Sequence, residues 1–153
     1  DWKNDPEGVW KDTVTSLQEI QDIAKAEDVV LAPELHFNTP FEKPENARRL
    51  LQEIPGLAYT YEPSHFLKQE IDPEETTDLL DGADHIHLRT AANGTLQCEP
   101  GPASLEILDW MMDRLRARDY KGYVSVEFLP GAEFDIREAV QILHQRYSNE
   151  NCA

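Results

Sequence analysis

The stretch Tyr59–Leu67, YTYEPSHFL, decides how this chain is read. It belongs to a strand-like run, Leu57–Glu62, that stops on an acid, a Pro-Ser turn and His65. Such an ending is either an ordinary polar loop or the delivery of side chains to a site, and the neighbouring segments bear on the choice. Upstream, VVLAPELHF (Val29–Phe37) reads as a buried strand that ends on Glu34 and His36. Downstream, HIHLR (His85–Arg89) and GYVSVEF (Gly122–Phe128) read as two more strands, the last carrying Glu127.

Between these runs the periodicity changes to that of helices. Val14, Leu17, Ile20 and Ala24 recur at steps of three and four within Trp10–Lys25. Pro44–Ile54 reads as a helix with a proline suited to its first turn and Pro55-Gly56 as its stop. Pro73–Leu80 is a short helix, and Leu105, Leu108, Met111, Met112 and Leu115 form an amphipathic stripe. A last helix runs from Asp135, with Glu138 completing a capping box, to about Tyr147. One helix followed by four strand–helix units predicts an α/β fold with a parallel sheet covered by helices. Without a linker, a repeat or a low-complexity tract, residues 1–153 read as a single domain.

Composition narrows the function. The chain has 153 residues, 40% hydrophobic and 29% charged, as in globular domains. A net charge of −16 is a poor match to a polyphosphate backbone, so a nucleic-acid partner is not expected. The charge suits a protein that handles small molecules or recruits cations. Cys98 and Cys152 make neither a disulfide framework nor a metal motif. No apolar run reaches membrane-spanning length, so no membrane partner is expected and a cytoplasmic location is.

The candidate chemistry lies in Glu34, Glu62, His65, His87 and Glu127. The three acids fall at or near C-terminal strand ends and His87 in the last part of its strand, the edge where parallel α/β folds carry their sites. From Glu34 to Glu62, to His87 and to Glu127 the chain advances 28, 25 and 40 residues, about one βα unit each time. Taken singly, an acid after a strand is usually a solvated loop residue or a helix cap, and a strand histidine usually belongs to the core. Recurrence in all four units is what points to a site. Three converging carboxylates need a cation, and with one imidazole they favour Mg²⁺ or Mn²⁺, with Co²⁺ as a further candidate, over structural zinc.

In this order and spacing, LAPELH, LAYTYEPSHF, HIHLRTAANGTLQ and RDYKGYVSVEF resemble the last four strand ends of a xylose-isomerase-like TIM barrel of the sugar phosphate isomerase/epimerase group. The resemblance runs from about Val14 to Tyr147 and implies half a barrel, strands five to eight. It implies Glu34 and Glu127 as both metal ligands and the proton-transfer pair, Glu62 as third ligand and His87 as fourth. His65 would contact substrate hydroxyls. By strand alternation His36, two residues past Glu34, points the same way, so it either lines the pocket or is an ordinary loop histidine. Arg89 would pair with a substrate carboxylate or phosphate, or with a surface acid. The implied activity is proton transfer beside a carbonyl of a sugar or polyol, by an isomerase, an epimerase or a relative such as an inosose dehydratase.

The chain departs from the family in places. Glu62 stands where an aspartate is usual, Ser64 replaces a common glycine, and Arg89 follows His87 where an acid is frequent. Four strands are half of the eight that close such a barrel. A fragment of a longer chain is therefore expected, the alternatives being a homo-oligomer that closes two half barrels and an open sheet without activity. Two other functions compete. A non-catalytic relative would carry a decayed metal site. An apurinic-endonuclease-type hydrolase would need more histidine ligands and a basic groove.

Overall fold

The computed structural model describes residues 4–148, so Cys152 lies outside the described residues. Helix α1 (Pro6–Ala26) begins at Asp5, whose carboxylate accepts the Gly8 N–H at 3.0 Å, with Pro6 in the first turn. Its Trp10 is buried, and the indole N–H donates to Glu53 at 3.0 Å. Val14 and Leu17 pack on the core as the periodicity predicts, whereas Ile20 is exposed, so the stripe ends a turn early. Helix α2 (Pro44–Glu53) buries Ala47 and Leu50. It is stopped by Pro55 and by Gly56, whose φ of +76° suits glycine.

Strand β1 (Thr60–Tyr61) follows, then a short helix α3 (Pro63–Leu67) where the sequence suggested only a turn. A 3₁₀ turn, Pro73–Thr76, leads into α4 (Thr77–Gly82), and β2 (His85–Leu88) comes next. Helix α5 (Pro102–Ala117) buries Leu108, Met111, Met112 and Leu115, the expected stripe, and at its start the Gly101 N–H donates to Ser104 Oγ at 3.1 Å. Strand β3 (Tyr123–Val126) enters past Gly122, where a Cβ would come within 2.5 Å of the Asp84 carbonyl oxygen. Helix α6 (Ile136–Ser148) is capped by Asp135, whose carboxylate accepts the Arg137 N–H at 2.8 Å.

The described sheet has three strands in the order β1-β2-β3, all parallel. The expected fourth strand, Val29–Phe37, is reduced to one bridge, Glu34 to Thr60. There the Thr60 N–H donates to Pro33 O at 3.0 Å and the Leu35 N–H to Thr60 O at 3.1 Å. The next upstream rung would need an N–H at residue 33, and proline has none. Val29 and Val30, read as buried strand residues, are 59% and 75% exposed.

Strand alternation sorts the side chains into two faces. Tyr61, Ile86 and Leu88 point into a core shared with Phe66, Leu80, Leu108, Met111 and Leu143. The opposite face carries Thr60, His85, His87, Tyr123 and Ser125, and Tyr123 on it is 83% exposed.

Candidate functional site

The sheet register gathers the polar groups in steps. Glu34 bridges Thr60, which pairs with His85. One side-chain step on, Glu62 stands opposite His87, which pairs with Ser125. A further step places Arg89 opposite Glu127. The candidates thus come from three rows climbing the C-terminal edge, and the long Glu and Arg side chains close the gaps of roughly 6–7 Å between rows.

The rows converge on His87. Its Nδ1 lies 2.8 Å from Glu34 Oε1 and 2.8 Å from Glu127 Oε2, with Glu62 Oε2 at 3.7 Å. One ring nitrogen carries at most one hydrogen, and it is shared with Glu34. Glu127 Oε2 is then a buried oxygen without a hydrogen bond. Ligand atoms of Glu34, Glu62, His87 and Glu127 all fall within 4.8 Å of one another, so this group could hold a metal ion. Two or three carboxylates with one imidazole fit a hard divalent cation.

His65 lies below this group, 1% exposed, with Nε2 at 3.4 Å from both Glu34 and Glu62. His36 leans on it, ring centroids 4.0 Å apart, stacks on Phe37, and has Nδ1 against the Phe37 carbonyl. Glu34, His36 and His65 form a second, overlapping group with ligand atoms in reach of one another.

Arg89 is the cation already present. It is 2% exposed and lies along the carboxylate of Glu62, which is 0% exposed. Its Nη2 donates to Glu62 Oε2 at 3.1 Å, and Nε, 3.0 Å from Oε1, donates to the Glu127 carbonyl at 3.1 Å. Nη2 is also 3.1 Å from Glu127 Oε2. Arg89 thus pairs with two acids of this group, the fully buried Glu62 and the part-exposed Glu127. The sequence named Glu62 and Arg89 without linking them. The available signal was parity, because Arg89 lies two residues past His87 and faces the same side. Ser64, also unassigned from sequence, gives its hydroxyl to Glu62 Oε1.

The electrostatics follow from these contacts. Burial opposes ionisation of Glu34, but His65 and His87 outweigh it and hold the carboxyl well below the usual range. Burial likewise opposes the charge on Glu62, and His65, His87 and Arg89 reverse the balance, so its pKa is lowered. For His65 desolvation is outweighed by Glu34 and Glu62, which raise its pKa. The Glu34 hydrogen bond, with Glu62 next, pushes His87 up to about 10.

Among the described residues no helix is long and apolar enough to cross a membrane. A search of curated proteins returns no match. Among solved structures, the fold is similar to the apo crystal structure of 3-keto-D-glucoside 4-epimerase, YcjR, from E. coli. The TM-score is 0.64 at 21% identity, covering 89% of this chain and 53% of that one. The chain thus spans about half the length of that epimerase, and the likeness shows the fold. The family described as Xylose isomerase-like TIM barrel matches residues 1–146, nearly the whole chain. An open parallel sheet with its acids and histidine gathered at the strand ends accords with that match, and the chain belongs to the xylose-isomerase-like TIM-barrel family.

Proposed function

We propose that this chain is the site-bearing part of a divalent-metal-dependent isomerase or epimerase acting on a sugar, sugar phosphate or related polyol. One observation carries the metal reading: His87 Nδ1, able to bear one hydrogen, stands 2.8 Å from two separate carboxylates. A cation at that point satisfies all three groups at once. Mg²⁺ or Mn²⁺, with Co²⁺ next, suits the donors, held by Glu34, His87 and Glu127 with Glu62 beside them. When bound, the ion offsets negative charge that develops on a substrate oxygen.

The remaining work falls to the chain. Glu34 and Glu127 approach from opposite ends of the sheet, as a base and an acid on either side of one carbon would. Glu34 is oriented by His87 Nδ1 at 2.8 Å and His65 Nε2 at 3.4 Å. Glu127, on the more open side, would donate a proton of its own to the opposite face of that carbon, and exchange with solvent would then take the proton from Glu34 and restore the one on Glu127. His65, His36 and Arg89 supply donors for substrate hydroxyls or a carbonyl; Arg89 Nη1 is buried without a partner and has a bond to give. The related epimerase fold supports this class without identifying the substrate.

The test uses the full-length protein. Mn²⁺ titration by calorimetry should give one ion per site. Incubation with ketoses and aldoses in D₂O should show, by NMR, deuterium entering at the carbon beside the carbonyl. No bound ion and no exchange with any sugar tried would refute the proposal. A bound ion without exchange would favour a non-catalytic relative, a reading to which the full burial of Glu62 against Arg89 lends some weight.

A further inference from the structure

The chain's two main departures from the resemblance, Glu62 for an aspartate and Arg89 for an acid, meet in the structure. A carboxylate offers about four acceptor positions. On Glu62, Oε1 takes the Ser64 hydroxyl and lies 3.0 Å from Arg89 Nε, while Oε2 accepts Arg89 Nη2 at 3.1 Å and lies 3.4 Å from His65 Nε2. Both partners are sealed from solvent, so water cannot replace a contact that either gives up. Arg89 is also tied to the end of β3 through the Glu127 carbonyl and is not free to swing away. Glu127 Oε2 lies 3.1 Å from the same Arg89 Nη2 but accepts no hydrogen bond from it, and Glu34 Oε1 shares one hydrogen with His87.

Resting on the metal reading above, we propose that Glu62 is not a ligand of the ion. Arg89 holds it back and acts as a built-in counter-cation, leaving Glu34, His87 and Glu127 as the protein ligands. Arg89 also offsets one of the three carboxylate charges that would otherwise face the ion. Arg89 is then a positioning residue that sets both the number of ligands and the charge of the site. Without it, the site would present three acids to the ion and lose a repelling charge.

The experiment measures Mn²⁺ affinity by calorimetry in the full-length protein, so it does not depend on knowing the substrate. Arg89→Met should bind Mn²⁺ roughly tenfold more tightly or better, since it frees a carboxylate and removes a cation. If Arg89 merely supported a ligating Glu62, the same change should weaken binding by about 10–100-fold, as loss of outer-shell support does. Arg89→Lys keeps the charge and should stay near wild type, a distinction that a purely structural role would not produce. If Arg89→Met fails to fold, Glu62→Gln/Arg89→Met removes both buried charges and decides the matter. It should keep one Mn²⁺ site within about tenfold of wild type, whereas loss beyond about a hundredfold would make Glu62 a ligand. Weaker or unchanged binding by folded Arg89→Met overturns the inference alone, and absence of Mn²⁺ binding in the wild type overturns it together with the metal reading.

Discussion

The two faces of the sheet are built from the same strands and do opposite things. On β2, Ile86 and Leu88 lie in the core while His85 and His87 face the other way, and β1 repeats the division with Tyr61 against Thr60. The core face is apolar and packed by α4, α5 and α6. The other is polar, partly open, and crowds three carboxylates around two histidines and the buried Arg89. A site of this kind is unfavourable to form unaided, and the packing behind it holds its parts in place. Stability and chemistry should therefore separate by face even between adjacent residues.

The sharpest way to break that separation is at Glu34. Glu34→Gln should lower solvent-deuterium exchange into substrate by roughly 10²–10⁴-fold, the usual scale for losing a positioned proton-transfer group. Its thermal midpoint in metal-free buffer, followed by circular dichroism, should fall less than that of Ile86→Ala, since the change removes the ion pair with His87 but empties no core space. A collapse in stability of matching size would show that the two faces are not independent. Next in size is Ile86→Ala, one residue from His87 and fully buried. It should cost about 2–5 kcal/mol in urea unfolding, as buried truncations do, while Mn²⁺ affinity measured well below the unfolding transition stays put.

A third, smaller effect probes the polar face alone. Mn²⁺ at about a hundred times its dissociation constant should add ~2.7 kcal/mol to stability, and a chelator should remove that increment. Denaturant curves with and without chelator would measure it, and Ile86→Ala should retain the increment in full. The smallest effect lies at the rim of the helical layer, where Arg146 holds the Asp109 carboxylate at 2.5–2.7 Å and lowers its pKa. A depressed carboxylate contributes stability above its unfolded pKa and loses it as pH falls through the folded value. Asp109→Asn should thus lower the melting temperature at neutral pH by ~1–2 °C, because the pair is partly exposed and screened, and the difference should vanish in acid.

Much of this arrangement was legible in the sequence, where one strong local signal existed. The proline start and Pro-Gly stop of α2, the stripe of α5, the parallel order and the placing of Glu34, Glu62, His87 and Glu127 at one edge all follow from local signals and spacing. Val29–Phe37 misled because an apolar run was read as a paired strand, although Pro33 removes the donor for its next rung. The short helix α3 was hidden by its Pro-Ser start, which reads equally well as a turn. The Glu62–Arg89 pair was hidden for a different reason: the residues lie 27 positions apart, and no local pattern shows which charges will share a buried space.

The stepped rows at the strand ends carry a consequence for how this protein can vary in length. Ile86 and Leu88 alternate with His87 and Arg89, so one residue inserted within β2 would send the charged pair toward the core and the apolar pair toward the site. Such an insertion would damage folding and chemistry in one event, whereas the same residue added to the loop between Ala91 and Gly101 would leave the alternation untouched. Homologous sequences should therefore show gaps and insertions in the loops and almost none in the strands, so loop length is where related proteins can diverge.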